Sequence, residues 1–295
     1  MITEKAYAKV NLSLDITGRR DDGYHLVRMV MQTLDIADTL TFEKATGKTE
    51  IILKSQDGST PLEVGQDNLI YKAAELLLDK YVREKDPAAG VRITLEKNIP
   101  IAAGMAGGSS DAAATLKGVT KLYELTVNES DLRKIGVTLG ADVPYCIMGG
   151  TALSEGIGEE LTRLPELPEC YFVVAKPLCS VSTAEAYGGY DGLVESEVRI
   201  KRPDVDGQVD AIYMQRIDLV CEKLLNVLEY VTAEKHEEIG KLENILKESG
   251  ALGAVMSGSG PTVFGIFDTK EKAEAAAEEV KKSGLADQLF VTTTI

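Results

Sequence analysis

The sequence predicts an α+β chain in two halves, and three observations lead there. Segments in which apolar residues alternate lie near both ends, and segments with apolar residues every three or four positions lie between them. The two kinds do not keep the strict strand-helix-strand rhythm of a doubly wound parallel sheet. At roughly 100–200 residues per domain, a chain of 295 residues holds two domains or one large one. We expect a division into residues 1–158 and 159–295, beside the proline-bearing stretch Leu164 to Pro168.

Residues 6 to 17 place Ala6, Ala8, Val10, Leu12, Leu14 and Ile16 on one face and Tyr7, Lys9, Asn11, Ser13 and Asp15 on the other, the pattern of a half-buried strand. The turn-forming run Gly18 to Gly23 follows, and Tyr24 to Phe42 reads as a returning strand. From Asn68 to Val82 the apolar residues Leu69, Ala73, Leu76, Leu77 and Tyr81 mark an amphipathic helix, and Val91 to Lys97 reads as a strand. The uncharged segment Pro100 to Ser110 then feeds a helix bearing Ala112, Leu116, Val119 and Tyr123. Asn128 and Asp131 form a capping pair for a helix that stops near Gly140, which leaves Asp142 just beyond it. Strands are expected at 151–157 and 170–176, helices at 215–231 and 233–249, and a loop at 195–210. Ala251 to Met256 and Thr262 to Phe267 read as strands around a Gly-Ser turn, followed by a helix at 269–283 and a last strand at 288–294.

Acidic residues outnumber basic ones 47 to 32, a formal charge of −15. An acidic chain lacks the basic field that nucleic acid or an anionic membrane surface requires, so neither is expected as a partner. Cys146, Cys170, Cys179 and Cys221 form no CxxC pair, which fits reduced thiols in a cytoplasmic protein. The amino terminus carries charges where an export signal needs an apolar run. The longest uncharged stretch, Ser249 to Phe267, is broken by five glycines and a proline, so it is no spanning helix.

The segment with most chemical content is Pro100 to Asp111, because small residues there precede a helix whose first amides have no internal partner. Such a start binds anions. Glycine lets the backbone approach phosphate closely, and Ser109 and Ser110 are placed to cap the helix or to offer hydroxyls to phosphate or magnesium. The loop is neither GxxxxGK[ST] nor GxGxxG. Alone, it is equally consistent with a tight strand-to-helix connection.

Lys9 and Asn11 share one strand face, about 7 Å apart, so a cation and an amide point the same way. Asp142, followed by Val143-Pro144, is a carboxylate held outside a helix, and a carboxylate with a lysine makes an alcohol-activating pair. Each of these charges on its own is more often a solvated surface group. A second glycine-serine turn, Ser257 to Pro261, and the triplet Gly23-Tyr24-His25 complete the set.

In this order, the Lys9-Val10-Asn11-Leu12-Ser13-Leu14 strand, the Pro100 to Ala112 loop and the Ser257 to Pro261 turn resemble the three motifs of the GHMP small-molecule kinase superfamily. The resemblance runs from about residue 6 to the end of the chain. It implies a two-domain fold: an N-terminal α/β ATP-binding domain with a left-handed crossover type of sheet, a C-terminal ferredoxin-like domain, and a cleft between them. It also implies transfer of the γ-phosphoryl group of ATP to a substrate hydroxyl. Magnesium is expected to arrive on ATP, because no second metal-binding carboxylate of the kind some members use is evident, and its protein ligands stay unassigned. Glycine-Tyr24-His25 resembles the branch that acts on a cytidine diphosphate-linked methylerythritol. By position, Asp142 and Lys9 match catalytic residues and Asn11 a substrate-positioning residue. Tyr24, His25 and Tyr187 match residues around the cytosine ring, with Tyr187 in place of the more usual phenylalanine. ATP contacts fall on Asn68, Lys97, Pro100, Ile101, Ala102, Ala103, Gly104, Met105, Ala106, Gly107, Gly108, Ser109 and Ser110. A monomer or weak homodimer is expected.

Two other readings stay open at this point. One is a superfamily kinase for homoserine or mevalonate; the other is a nucleotide-binding module without catalysis, against which Lys9 and Asp142 speak. A dinucleotide-dependent oxidoreductase is disfavoured by the absence of GxGxxG.

Overall fold

The computed structural model describes residues 1–54 and 65–295. Strand β1 (Ile2–Arg19) turns through Gly23, at φ 91°, into β2 (His25–Thr46). The alternation in β1 is real, but the polar side of the strand is covered too: Lys9, Asn11 and Ser13 are all at most 4% exposed. The half-buried strand expected from sequence is therefore buried on both faces at its centre. Strand β3 (Glu50–Lys54) is short and partly charged and gave no clear signal in the sequence.

Helix α1 (Leu69–Tyr81) begins where Asn68 Oδ1 accepts from Ile70 N at 2.9 Å, a side-chain cap for an otherwise orphan donor. Strand β4 (Ala89–Glu96) follows, then α2 (Gly107–Leu122). Helix α3 (Glu129–Val137) starts on the expected cap, with Asn128 Oδ1 accepting from Asp131 N at 2.9 Å. Helix α4 (Val143–Met148), unforeseen in the sequence, opens at Asp142 with Pro144 in its first turn, where a missing N–H costs nothing.

The chain continues through β5 (Thr151–Glu155), β6 (Glu160–Arg163), β7 (Tyr171–Pro177), α5 (Thr183–Glu195) and α6 (Val205–Tyr213). Asp204 caps α6 by accepting from Gly207 N at 3.0 Å, so the loop expected at 195–210 spans residues 196–204 and its end, from Val205, is helical. The single helix expected over 215–231 is broken into α7 (Ile217–Glu222), β8 (Leu225–Asn226) and α8 (Glu229–Lys235). The cause is tertiary, because Leu225 and Asn226 pair in parallel with Ser13 and Leu14 of β1. The chain closes with α9 (Glu237–Glu248), β9 (Gly253–Met256), β10 (Val263–Phe267), α10 (Lys270–Ser283) and β11 (Ala286–Thr293).

Two compact units share this chain. The first comprises residues 1–8, 36–101 and 106–149. In it β4 runs antiparallel to the Thr39–Thr46 end of β2 and parallel to β3. Helices α1 and α2 pack beside this sheet over a core that includes Phe42, Leu77, Ile93, Leu116 and Val119. Gly118 permits the approach: a Cβ there would lie 2.4 Å from the Phe42 ring.

The second unit comprises residues 9–35, 102–105 and 150–295. Its four-stranded sheet has the order β11-β7-β10-β9, antiparallel at every pairing. Counted along the chain these are the fourth, first, third and second strands, the ferredoxin-like order, with helix α10 crossing from the third to the fourth. Also in this unit, β5 pairs with Met29–Gln32 of β2 and with β6.

Candidate active site

In the first unit, the glycine-rich loop enters α2 through Ala106, which holds φ 56° and provides no side-chain cap. The first intrahelical bond runs from Ser110 N to Ala106 O, at 2.8 Å. The amides of Gly107, Gly108 and Ser109 therefore have no partner within the helix. No acidic residue stands in this first turn. The chemistry is that of an anion-binding helix start. The serines do not cap it: both lie inside the helix, and Ser110 Oγ donates to Tyr7 O at 2.6 Å. The expectation of a serine cap is thus corrected, because the helix begins three residues earlier than Ser110.

Lys97, expected as an ATP contact, is largely shielded beside this turn. Its ammonium donates to Asp38 and, at 2.9 Å, to Asp111. Asp38 also accepts from the backbone N of Asn98 and of Ile99. Burial works against the lysine charge, but the Asp111 and Asp38 carboxylates outweigh it and hold the ammonium above the ordinary lysine value. Burial pushes the Asp111 carboxyl up to about 8, with Lys97 opposing and Asp38 adding to the rise. A Cβ on Gly107 would stand 3.0 Å from Lys97 Nζ, so glycine keeps the helix start next to this cluster. Asn68 is occupied as the cap of α1, and Asp142 opens α4. The turn that leads to Asp142 reaches the same helix start: a Cβ on Gly140 would be 3.8 Å from Ser109 Oγ.

In the second unit, three separated motifs meet. Lys9 Nζ donates to Asn11 Oδ1 at 2.7 Å and to Gly104 O at 3.1 Å. Lys9 N donates to Met105 O at 3.2 Å. Ser257 Oγ donates to Gly104 O at 3.1 Å and accepts from Asn11 N at 3.4 Å. Gly104 has φ 71°, and a Cβ there would fall 2.2 Å from Ser257 O, so only glycine fits. Sequence reasoning missed the residues that hold the third motif. Asn226 Nδ2 donates to Met256 O at 2.9 Å and Gly258 O at 2.7 Å, Thr232 Oγ1 donates to Ser259 O at 3.3 Å, and Glu229 accepts from Met256 N at 2.9 Å. Asn226 and Glu229 come from the region read as one helix over 215–231 and Thr232 from the gap just after it, a reading that hid the polar side chains that anchor the turn.

A second group in this unit gathers His25, Tyr187 and Asp191. The His25 and Tyr187 rings lie 4.9 Å apart at 39°, and His25 Nε2 is hydrogen-bonded to Asp191 Oδ1 at 2.7 Å. Arg19 pairs with the other Asp191 oxygen at 3.1 Å. Tyr187 and Asp191 are one helical turn apart on α5, a spacing that could have revealed Asp191. Tyr24 stands 58% exposed. Arg20 faces Asp22 at 2.7 Å, so Lys97, Arg19 and Arg20 each face a carboxylate and none brings surplus positive charge. Among the described residues, no helix is long and apolar enough to cross a membrane.

Comparison with known proteins accounts for this arrangement of motifs. Residues 68–150 match the GHMP kinases N terminal domain and residues 209–286 the GHMP kinases C terminal domain. A 4-diphosphocytidyl-2-C-methyl-D-erythritol kinase of Lachnospira eligens is 46% identical over 98% of this chain and 97% of its own length. The protein of the same name from Clostridioides difficile is 46% identical over 94% and 90%. A crystal structure of 4-(cytidine 5'-diphospho)-2C-methyl-D-erythritol kinase superposes with a TM-score of 0.78 at 32% identity, covering 99% of each chain. A mevalonate kinase of L. major in complex with R-mevalonate reaches a TM-score of 0.77 at 16% identity, with 100% of this chain and 96% of that one covered, which speaks for the fold alone. The chain belongs to the GHMP kinases and, within them, to the 4-diphosphocytidyl-2-C-methyl-D-erythritol kinase family.

Proposed function

We propose that this enzyme transfers the γ-phosphoryl group of ATP to the 2-hydroxyl of 4-diphosphocytidyl-2-C-methyl-D-erythritol, a step of the non-mevalonate route to isoprenoid precursors. The observation that carries the reading is similarity over nearly the full length to kinases of that name, and the His25–Tyr187 ring pair supports it.

In this proposal the free amides of Gly107, Gly108 and Ser109 receive ATP phosphate oxygens. The helix dipole does the work that surplus cations would otherwise do, since Lys97 is already balanced by acids. The loop from Pro100 to Ser110 wraps the phosphates, with Asn68 and Lys97 nearby on the nucleotide. The hard oxygen donor that this turn offers to a magnesium ion is the Ser109 hydroxyl. Magnesium carried by ATP neutralises charge on the phosphates. Asp142 takes the proton of the substrate hydroxyl, Lys9 balances charge on the transferred group, and Asn11 orients the substrate. Positioning and electrostatics supply most of the rate in such transfers.

Asp191 fixes the ring of His25 through Nε2 and leaves Nδ1 to meet the cytosine, with Tyr187 beside it and exposed Tyr24 free to stack. The expected substrate assembly, in the cytoplasm, is enzyme, nucleotide and sugar alcohol, as monomer or weak homodimer.

The test is ADP release measured with four alcohols: the diphosphocytidyl substrate, mevalonate, homoserine and galactose. Turnover confined to the first is expected. Faster turnover of mevalonate or homoserine would replace this reading with that of another superfamily kinase, and ATP binding without ADP release would leave only a nucleotide-binding module.

A further inference from the structure

One group of side chains in the second unit takes no part in the proposed chemistry. Cys179 lies just beyond the end of β7, His236 joins α8 to α9, and Glu238 stands in the first turn of α9. Their ligand atoms, Sγ, an imidazole nitrogen and a carboxylate oxygen, all lie within 4.8 Å of one another. Among the described residues this is the one group of three or more such donors. All three residues are partly shielded, and Cys179 is a free thiol.

A second observation points to a missing partner. Glu238 Oε2 is shut off from solvent and accepts no hydrogen bond among the described residues. A sheltered carboxylate oxygen with no donor is costly unless an ion or ordered water sits against it. Thiol, imidazole and carboxylate together describe what that ion would be. A hard cation such as magnesium avoids sulfur, whereas zinc takes S, N and O ligands at about 2.0–2.3 Å in a tetrahedron.

We propose that Cys179, His236 and Glu238 bind a thiophilic divalent cation, zinc, with the fourth position open to water. Tetrahedral bonds of that length place donors about 3.3–3.8 Å apart, so each pair closes by at most about 1.5 Å on binding. As the Sγ–Zn bond forms, the thiol proton passes to solvent; nothing is oxidised or reduced. The site ties the segment after β7 to the start of α9. That segment leads into α5, which carries Tyr187 and Asp191, and Thr183 at its start reaches Ser259 Oγ at 3.3 Å. Bound zinc therefore braces one side of the third motif. The inference is independent of the substrate proposed above.

The test is titration of the metal-stripped full-length protein, kept reduced, with Co2+ as a spectroscopic stand-in for zinc. One equivalent should produce a near-ultraviolet thiolate-to-cobalt charge-transfer band with the visible bands of tetrahedral cobalt, and Zn2+ should erase both. Cys179→Ser should abolish the charge-transfer band, and His236→Ala and Glu238→Gln should each weaken cobalt binding at least about tenfold. Cys146→Ser should change nothing. Absence of a stoichiometric band, its survival in Cys179→Ser, or its loss in Cys146→Ser would each overturn the assignment. Thermal unfolding without metal establishes that each variant is folded; should Cys179→Ser fail that check, the two other ligand variants decide.

Discussion

Lys97 is held between two acids that are not equivalent: Asp111 accepts from its ammonium at 2.9 Å with one oxygen while the other oxygen, Oδ1, is buried without a partner. Asp38 takes the same ammonium and two backbone amides besides. Asn at position 38 keeps Oδ1 for the two amides but sets an amide N–H against the Lys97 ammonium in place of the oxygen that accepts from it, and removes a partner charge; removing the charge of Asp111, already drawn toward its neutral form by burial, strands little. Asp38→Asn should therefore destabilise the protein by about 3 kcal/mol or more, against under about 1 kcal/mol for Asp111→Asn near neutral pH. Urea unfolding of both variants checks this, and equal losses would contradict the asymmetry.

A buried carboxyl pair also sets a pH dependence. Burial pushes Glu229 up to about 8, and the neighbouring Glu243 adds to the rise. Glu243 Oε1 accepts no hydrogen bond among the described residues, and a proton on Glu229 would supply its donor. The folded state keeps this proton up to about pH 8, whereas the unfolded chain releases it near the ordinary glutamate value of 4.5. Stability is thus fullest below the lower value and declines as pH rises toward the higher, by up to about 1.4 kcal/mol per unit. Asp111 pulls in the same direction. Glu229→Gln carries a permanent donor, so its urea midpoint should exceed that of the parent at about pH 9 and match it at about pH 5.

How much of this was legible before folding depends on whether the signal was local. The alternation in β1, the Asn128 cap and the helix starts at Asn68 and Thr269 are local, and each lies where the residues indicated. Helix α7, strand β8 and helix α8 were not legible, because what stops the helical pattern at Leu225 is a strand more than 200 positions earlier, near Ser13. The site divides the same way. Lys9, Asn11 and the glycine turns stand out by type and order, whereas Asp38, Asn226, Thr232 and Asp191 are ordinary polar residues whose roles exist only as contacts with distant backbone or side chains.

Base recognition should separate from nucleotide binding. Tyr24 is exposed and His25 is anchored by Asp191, so both are expected to act on the cytidine half alone. Tyr24→Ala and Asp191→Asn should raise KM for the diphosphocytidyl substrate by about tenfold, the loss of one stacking or one charge-assisted contact of about 1.4 kcal/mol, with KM for ATP unchanged. A parallel rise in both constants would remove these residues from the base pocket.

Asp142→Asn keeps the shape and the start of α4 while removing the proposed proton acceptor. Turnover should fall by about 10²–10⁴-fold, with substrate affinity nearly intact by equilibrium titration. Unchanged turnover would end the assignment of Asp142 as the base.

Gly104 offers the most severe single change. Its φ of 71° and the 2.2 Å approach of a Cβ to Ser257 O are two separate obstacles to any side chain. The conformation alone costs an L-residue about 1–2 kcal/mol, and the clash forces apart the carbonyl onto which both Lys9 and Ser257 donate. Gly104→Ala should therefore lower stability by at least about 2 kcal/mol and displace the Lys9 ammonium, so turnover falls further than the stability loss explains. Ser257→Ala is the control: it removes one hydrogen bond to Gly104 O and the long one that Ser257 accepts from Asn11 N, leaves that of Lys9 to Gly104 O, and should cost only about 1–2 kcal/mol with most turnover retained. If the two variants lose turnover alike at temperatures where both are folded, Lys9 is not positioned through Gly104.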